Sequence, residues 1–485
     1  MAIWLSMTMS EDWIVGREGE RRELDRVLRS SRPELVVVFG RRRVGKTFLV
    51  RQHFRNKIVF EISGLHRENT QRQLENFSNR LRQATRQETT TPKTWLGAFE
   101  QLKSFLKENA SGQKQVIFFD EFPWLATQRS GFLSAFEEFW NGFAVQRSDL
   151  LCVVCGSAAS WMIQNILSSK GGLHNRATSR IRLMPFHLAE TRSFLQRLRV
   201  DLPDFQVAQL QMVLGGIPHY LQHVEVGQSA AQVIDRLCFS KDGLLSGEFP
   251  NLYQALFDSP DKHEAIVRTL AQARKGHTRN ELAKRTGIAT GGTLTKILSE
   301  LEESGFIVEI PNLYAEKKNS LWRLADAYSH FYLQWMDGRR KGSRQSWLTI
   351  ATGSKWKSWC GYAFENLCLS HIPQIKQSLG ISGIVTEEAS WQYHAKTDSD
   401  RGAQIDLLID RADNAINICE LKFSDYPFVI DKKYAAELEQ KVQVFKQRSK
   451  RRKAVFLTMV TASGLEQNSY ATSLVTNHIQ LDQLF

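Results

Sequence analysis

Apolar residues early in this chain fall into short unbroken runs; further on they form helical stripes and paired runs. The runs 35–39, 116–119 and 150–155 have strand length and no polar interruption, the pattern of strands covered on both faces of a parallel sheet. The segment 47–54 behind the first run reads as a helix. From 262 the rhythm changes. Helices are predicted at about 263–273, 279–285 and 291–303, the second with Thr278 as N-cap. The third carries Leu294, Ile297, Leu298 and Leu301 at helical spacing and stops at Gly305. The runs 306–310 and 320–324 then pair as a hairpin. Beyond 354, Trp356, Trp359, Ala363 and Leu367 line one helix, the runs 404–410 and 415–422 form a strand pair turning at 411–414, and a helix follows at about 432–446.

With 485 residues the chain is too long for one core, and about three or four domains are expected. Its 64 basic and 51 acidic residues leave a net charge of +13, which favours a polyanionic partner: DNA first, with RNA left open. No apolar run approaches the roughly 20 residues needed to cross a bilayer, so no membrane partner is expected. Residues 1–10 lack a basic n-region and a continuous h-region, so no signal peptide is expected and a cytoplasmic location follows. Of the six cysteines, Cys152 and Cys155 form a CxxC, but inside an apolar run whose alternate side chains point oppositely, so a buried strand is the reading adopted.

The first strand runs straight into Gly40-Arg41-Arg42-Arg43-Val44-Gly45-Lys46-Thr47, a match to GxxxxGK[ST] in the strand–loop–helix setting that the motif requires. Backbone N–H groups from Arg43 to Phe48 wrap phosphates, Lys46 reaches the outer phosphates and the Thr47 hydroxyl ligates Mg²⁺. The second strand ends in Asp120-Glu121, a Walker B arrangement in which Asp120 holds Mg²⁺ and Glu121 polarises the attacking water. The third ends at Ser157, either a nucleotide sensor at the strand's carboxyl end or an N-cap for the next helix.

Together, Ile14-Val15-Gly16-Arg17-Glu18, GRRRVGKT, FFDEF, CGSAAS and Gly215-Gly216-Ile217-Pro218-His219-Tyr220-Leu221 resemble the archaeal-type ATPases of the STAND/AAA+ superfamily. The resemblance implies that Arg17 lies near the adenine and that 186–255 is a helical lid. It also makes Arg176 the candidate arginine finger, with Arg180 second, a guanidinium being suited to clamp a γ-phosphate. A finger acting in trans implies self-association; Arg176 acting in cis does not.

The segment 260–336 resembles a winged helix-turn-helix. Thr290, Thr293 and Lys296 project from its third helix and Lys317 and Lys318 mark the wing tip, all candidates for contact with nucleic acid. Residues 337–349 read as a basic linker. In 350–485 a helix carries Glu365, one strand carries Asp406 and the next carries Glu420-Leu421-Lys422. A carboxylate and an ammonium on an otherwise apolar strand are costly to bury without a partner or metal. Glu365, Asp406 and Glu420 are candidate ligands of Mg²⁺, or Mn²⁺, with Lys422 orienting the attacking water and Gln440 as an auxiliary residue. This order of elements resembles the PD-(D/E)xK nuclease fold, which archaeal-type ATPases commonly carry at the C-terminus.

The expected fold is therefore α/β: a P-loop core (1–185), the lid, the winged helix, the linker and a restriction-endonuclease-like domain. The expected activity is ATP hydrolysis coupled to metal-dependent DNA cleavage, with defence against foreign DNA as a setting. The alternative is a STAND-type ATP switch or a DNA-binding regulator, in which the nuclease-like domain only makes contacts.

Overall fold

The computed structural model describes residues 13–485 except 111, 128, 169–171, 174, 258, 274, 314–319, 340–346, 394, 396–400, 450 and 451. The chain divides into two compact units, Met1–Met184 and Pro185–Phe485.

The first unit is built on β1 (Glu34–Phe39), β2 (Ile58–Ser63), β3 (Gln115–Asp120), β4 (Leu150–Gly156) and β5 (Ser179–Arg182). They form a wholly parallel sheet in the order β2-β3-β4-β1-β5. Every residue of β1, β3 and β4 is buried, as their unbroken apolar runs require. Leu35, Val37 and Phe39 face an aromatic core with Phe77, Trp95, Phe99, Phe132 and Phe136. Those aromatics come from the helices Thr70–Thr85, Trp95–Glu108 and Phe132–Gly142. The helices Glu18–Arg29 and Lys46–His53 bury Leu24, Val27, Leu49 and Val50 and pack against β5 and β4 respectively. Cys152 and Cys155 are free and buried within β4, as the strand reading required.

In parallel register Phe39 lies opposite Gly156, and Ser63 opposite Asp120. The loops after β1, β3 and β4 thus leave the sheet along one carboxyl edge. Gly40 is needed there: at φ +142 it passes so close to β5's exit that an added Cβ would lie 2.3 Å from the Leu183 carbonyl oxygen.

The second unit begins with the helices Leu188–Arg197, Asp204–Leu214 and Pro218–Leu221. Further on, the helices Pro260–Ala271, Arg279–Thr286 and Gly292–Glu303 lead into the hairpin of β7 (Ile307–Ile310) and β8 (Leu321–Leu324). A short strand, β6 (His277–Thr278), completes an antiparallel sheet in the order β6-β8-β7. Thr278 caps the middle helix, accepting from the Glu281 N–H while Glu281 accepts from the Thr278 N–H. Leu294, Ile297, Leu298 and Leu301 are all buried beneath the third helix.

The C-terminal sheet comprises β9 (Thr386–Tyr393), β10 (Ala403–Arg411), β11 (Ala415–Lys422), β12 (Ala454–Thr461) and β13 (Asn477–Gln480), in the order β13-β12-β11-β10-β9. β9, β10 and β11 pair antiparallel; β12 and β13 continue parallel. The helix Lys432–Arg448 connects β11 to β12 and buries Leu438 and Phe445 against Ile405, Ile418 and Met459. The helix Ser354–Ser370 packs on β11 with Trp356, Trp359, Ala363 and Leu367 buried. The small sheet also meets the large one: Leu313 N–H donates to the Ser390 carbonyl of β9 at 2.9 Å, and Ser390 N–H to the Pro311 carbonyl at 3.0 Å.

Candidate functional sites

In the first unit the loop after β1 turns through Arg43 at φ 70 and Gly45 at φ 93, both left-handed, before the helix Lys46–His53 starts. Lys46 is buried, and its ammonium donates to the carbonyls of Gly40 (3.1 Å) and Arg41 (2.8 Å) within the loop. Thr47 Oγ1 lies 3.0 Å from each carboxylate oxygen of Asp120. Burial, reinforced by the neighbouring charge of Glu121, pushes the Asp120 carboxyl above the ordinary aspartate value, while the Thr47 hydrogen bond and the Arg51 charge oppose the rise. A hydroxyl and a carboxylate whose charge burial disfavours are a donor set suited to a divalent cation.

Glu121 adopts a left-handed φ of 45, a conformation that costs a non-glycine residue roughly 1–3 kcal/mol and recurs at functional sites. There its carboxylate accepts from Ser157 Oγ at 2.8 Å and from Ser157 N–H at 3.3 Å. The ends of β3 and β4 are thereby tied together. Arg17, likewise left-handed and buried, directs Nη2 to the Val44 carbonyl at 3.5 Å. Val44 is buried, whereas Phe48 is half-buried on the outgoing helix. Arg176 and Arg180 are exposed, on the approach to β5 and within it.

A family model described as an ATPase domain predominantly from Archaea matches residues 14–224. Residues 14–224 are an archaeal-type ATPase domain. The match contains every motif of the ATPase domain from Ile14 to Leu221, so its α/β fold, P-loop class and nucleotide binding rest on it. Across a longer stretch, an uncharacterised protein of Methanocaldococcus jannaschii is 23% identical over 418 residues, 85% of this chain and 88% of that one. Two solved structures are also similar to it. The Walker-type ATPase of Pyrococcus abyssi has 20% identity, coverage of 66% of this chain and 96% of that one, and a TM-score of 0.49. The ORC2 protein of Aeropyrum pernix has 14% identity, coverage of 67% and 95%, and a TM-score of 0.41.

The second constellation is assembled differently. Glu365 and Asp406 line one pocket of about 420 Å³ with Lys275, Gln404, Glu437, Gln440 and Lys441. Asp406 lies where the β9–β10 register shifts between Ile405 and Leu408, and Gln404 Nε2 donates to its Oδ1 at 2.7 Å. Burial pushes the Glu365 carboxyl up to about 7; the Asp406 charge adds to this, while Arg323 and Lys422 oppose it. Glu420 is buried, and both its oxygens are engaged: Oε1 by the Lys441 ammonium and Oε2 by the Tyr434 hydroxyl at 2.9 Å. Lys422 sits 3.8 Å from that carboxylate with its ammonium 4.7 Å from the centre of the Tyr434 ring. Among the described residues no group of three or more His, Cys, Asp and Glu side chains is placed to hold a metal ion.

Glu365 and Asp406 are thus brought together, whereas Glu420 is neutralised by cations before any metal is considered. Sequence reasoning missed Tyr434, Lys441 and Arg323. The first two lie on the same face of the predicted 432–446 helix, seven residues apart. That spacing, set beside a buried carboxylate one strand away, was the available signal. Arg323 comes from β8 and carried no such signal.

In the three-helix module, Thr290, Thr293 and Lys296 are exposed at the start of the third helix. Lys296 pairs with Glu300 at 3.7 Å. Arg279 donates to the Thr290 and Gly291 carbonyls and to Thr295 Oγ1, pinning that turn. Lys317 and Lys318 lie outside the described residues, as does most of the basic linker. Among the described residues no helix is long and apolar enough to cross a membrane.

Proposed function

We propose that ATP turnover in the ATPase domain governs a metal-dependent DNA endonuclease in residues 350–485, with 260–336 acting as a winged helix-turn-helix that holds DNA. In the ATPase domain Lys46 and the loop N–H groups from Arg43 to Phe48 bind the phosphates, and Arg17 props the loop at Val44. Thr47 and Asp120 would hold Mg²⁺, which screens the phosphate charge. Glu121, kept in place by Ser157, orients and deprotonates the attacking water. Ser157 senses the outcome because it shares that hydrogen bond. Arg176 remains the proposed finger, with self-association following if it acts in trans.

The observation that carries the nuclease reading is the shared pocket of Glu365 and Asp406, set on a helix, three antiparallel strands, a helix and a parallel strand. Those two carboxylates, with Glu420 once Lys441 releases it, would hold Mg²⁺ or Mn²⁺, which supplies Lewis acidity and a nucleophilic water at neutral pH. Lys422 would orient the attacking water, with Gln440 as an auxiliary residue, and Thr293, Lys296, Lys317 and Lys318 would contact the nucleic acid. Supercoiled plasmid incubated with Mg²⁺ or Mn²⁺ should be nicked by the wild type, while Asp406→Ala should lose roughly 100-fold or more, at or beyond what disturbing a metal ligand's surroundings costs. Equal nicking by both proteins would falsify the assignment.

A second reading has its own support: with both Glu420 oxygens occupied, the C-terminal region could be a contact surface of an ATP-driven switch. DNA-stimulated ATP turnover favours the endonuclease, and slow DNA-independent turnover favours the switch.

A further inference from the structure

Arg323 is 3% exposed on β8, a strand of the small sheet rather than of the sheet that carries Asp406. A guanidinium is always charged, so burying it requires a counter-charge. Its Nη2 donates to Glu365 Oε2 at 3.3 Å, and its guanidinium carbon lies 5.1 Å from the centre of the Tyr362 ring, one turn earlier on the same helix. Its Nε is buried without a hydrogen-bond partner. The stem is held by a glycine: at Gly276 (φ +80) an added Cβ would lie 2.8 Å from Arg323 Cγ and 2.3 Å from the Trp322 carbonyl oxygen. Burial disfavours the Arg323 charge, whereas Tyr362, Glu365 and Asp406 favour it; Asp406 is reached through Glu365, with which it lines one pocket.

Two half-buried carboxylates that line one pocket can be neutralised by one arginine or by one divalent cation. Both together place three positive charges against two negative ones in a partly desolvated site, where like charges repel more than in bulk water. The arginine and the cation then compete. Because Arg323 belongs to β8, such competition would link the cation to the seating of the β7–β8 hairpin, and such linkage is reciprocal.

We propose that Arg323 is an internal counter-cation for Glu365 and Asp406, which opposes the binding of a divalent cation and couples that binding to the seating of the hairpin. The proposal rests on the reading of Glu365 and Asp406 as cation ligands and deepens it by naming what regulates them. A protein that engages the hairpin, or DNA lying on the three-helix module, would then change cation affinity without touching either carboxylate.

The test is titration of the full-length, nucleotide-free chain with Mn²⁺, followed by electron paramagnetic resonance of the free ion. Wild type, Arg323→Gln, Arg323→Lys and Asp406→Asn are compared. Arg323→Gln should bind Mn²⁺ at least about 5-fold more tightly, the lower end of typical coupling between sites. Arg323→Lys, which keeps the charge, should stay close to wild type, and Asp406→Asn should abolish the site. Hydrogen exchange of residues 321–324 supplies the reciprocal measurement: Mn²⁺ should speed it in the wild type and leave it unchanged in Asp406→Asn. If Arg323→Gln binds Mn²⁺ no more tightly than wild type while Asp406→Asn still abolishes binding, the counter-cation proposal fails and the nuclease reading survives. If no Mn²⁺ binds through Asp406 in any of the four proteins, both fail.

Discussion

The two constellations share a chemistry, carboxylates beside a lysine, yet they are assembled in opposite ways. In the ATPase domain the lysine and its carboxylates are kept apart. Lys46 donates to carbonyls of its own loop, Asp120 pairs with the neutral Thr47 hydroxyl and Glu121 with the neutral Ser157 hydroxyl. In the C-terminal region cations sit directly on the acids: Lys441 on Glu420 and Arg323 on Glu365. Neutral partners orient a carboxylate and leave its charge available. Cationic partners consume it. The first arrangement is ready for a ligand, whereas the second has to exchange a resident cation before it can take one.

Replacing the proposed catalytic carboxylate on the ATPase side should have the largest effect. Glu121→Gln should lower ATP turnover by roughly 100- to 10,000-fold, the usual contribution of a positioned general base, with nucleotide affinity near wild type. Full turnover in that variant would remove Glu121 from the chemistry. Lys46→Ala should weaken nucleotide binding by roughly 10- to 100-fold, consistent with losing a charged hydrogen bond worth about 1.5–3 kcal/mol. A fluorescent-nucleotide titration giving unchanged affinity would end the P-loop assignment.

On the other side of the comparison, Lys441→Met should destabilise the second unit by roughly 1–3 kcal/mol, because buried Glu420 loses its hydrogen-bonded cation and keeps only Lys422 at 3.8 Å. Burial and the Glu420 charge push the Tyr434 hydroxyl upward, so it stays a donor and limits the loss. An unchanged urea midpoint would show that Glu420 does not depend on Lys441. The last effect concerns pH. Glu365 titrates near 7 in the folded chain, above its ordinary unfolded value of about 4.3. The folded state therefore binds more protons between those values, and stability should fall as pH rises from about 4.3 to about 7. Comparing urea midpoints at the two ends for wild type and Glu365→Gln tests this, since the variant should lose that part of the slope.

Much of this architecture was readable beforehand. The runs containing Val36, Phe118 and Val153 became fully buried parallel strands because an unbroken apolar run has no face to give to water. Thr278 declared a helix start and caps it as read, while the reciprocal bond from Glu281 came only with the structure. The Glu121–Ser157 bond was only half legible. Ser157 stood out by its place at a strand end, but its partner depended on β3 and β4 being neighbours. At Glu420 the buried charge was readable while its neutralisation was not, because Lys441 lies 21 residues on, within the next helix. Arg323 was out of reach altogether: β8 and the helix bearing Glu365 are brought together by packing that no local pattern encodes.

What the sequence by itself determined, then, is whatever depends on neighbours within a few residues. That includes the phosphate loop, its strand and helix, the caps, the apolar stripes and the carboxylates at strand ends. Backbone sterics and the periods of helix and strand act over those distances and leave little choice. Only the tertiary structure decided which charge meets which. A carboxylate's partner is chosen by strand order and by packing between elements up to tens of residues apart, and in a buried setting that partner decides whether the carboxylate is free to act.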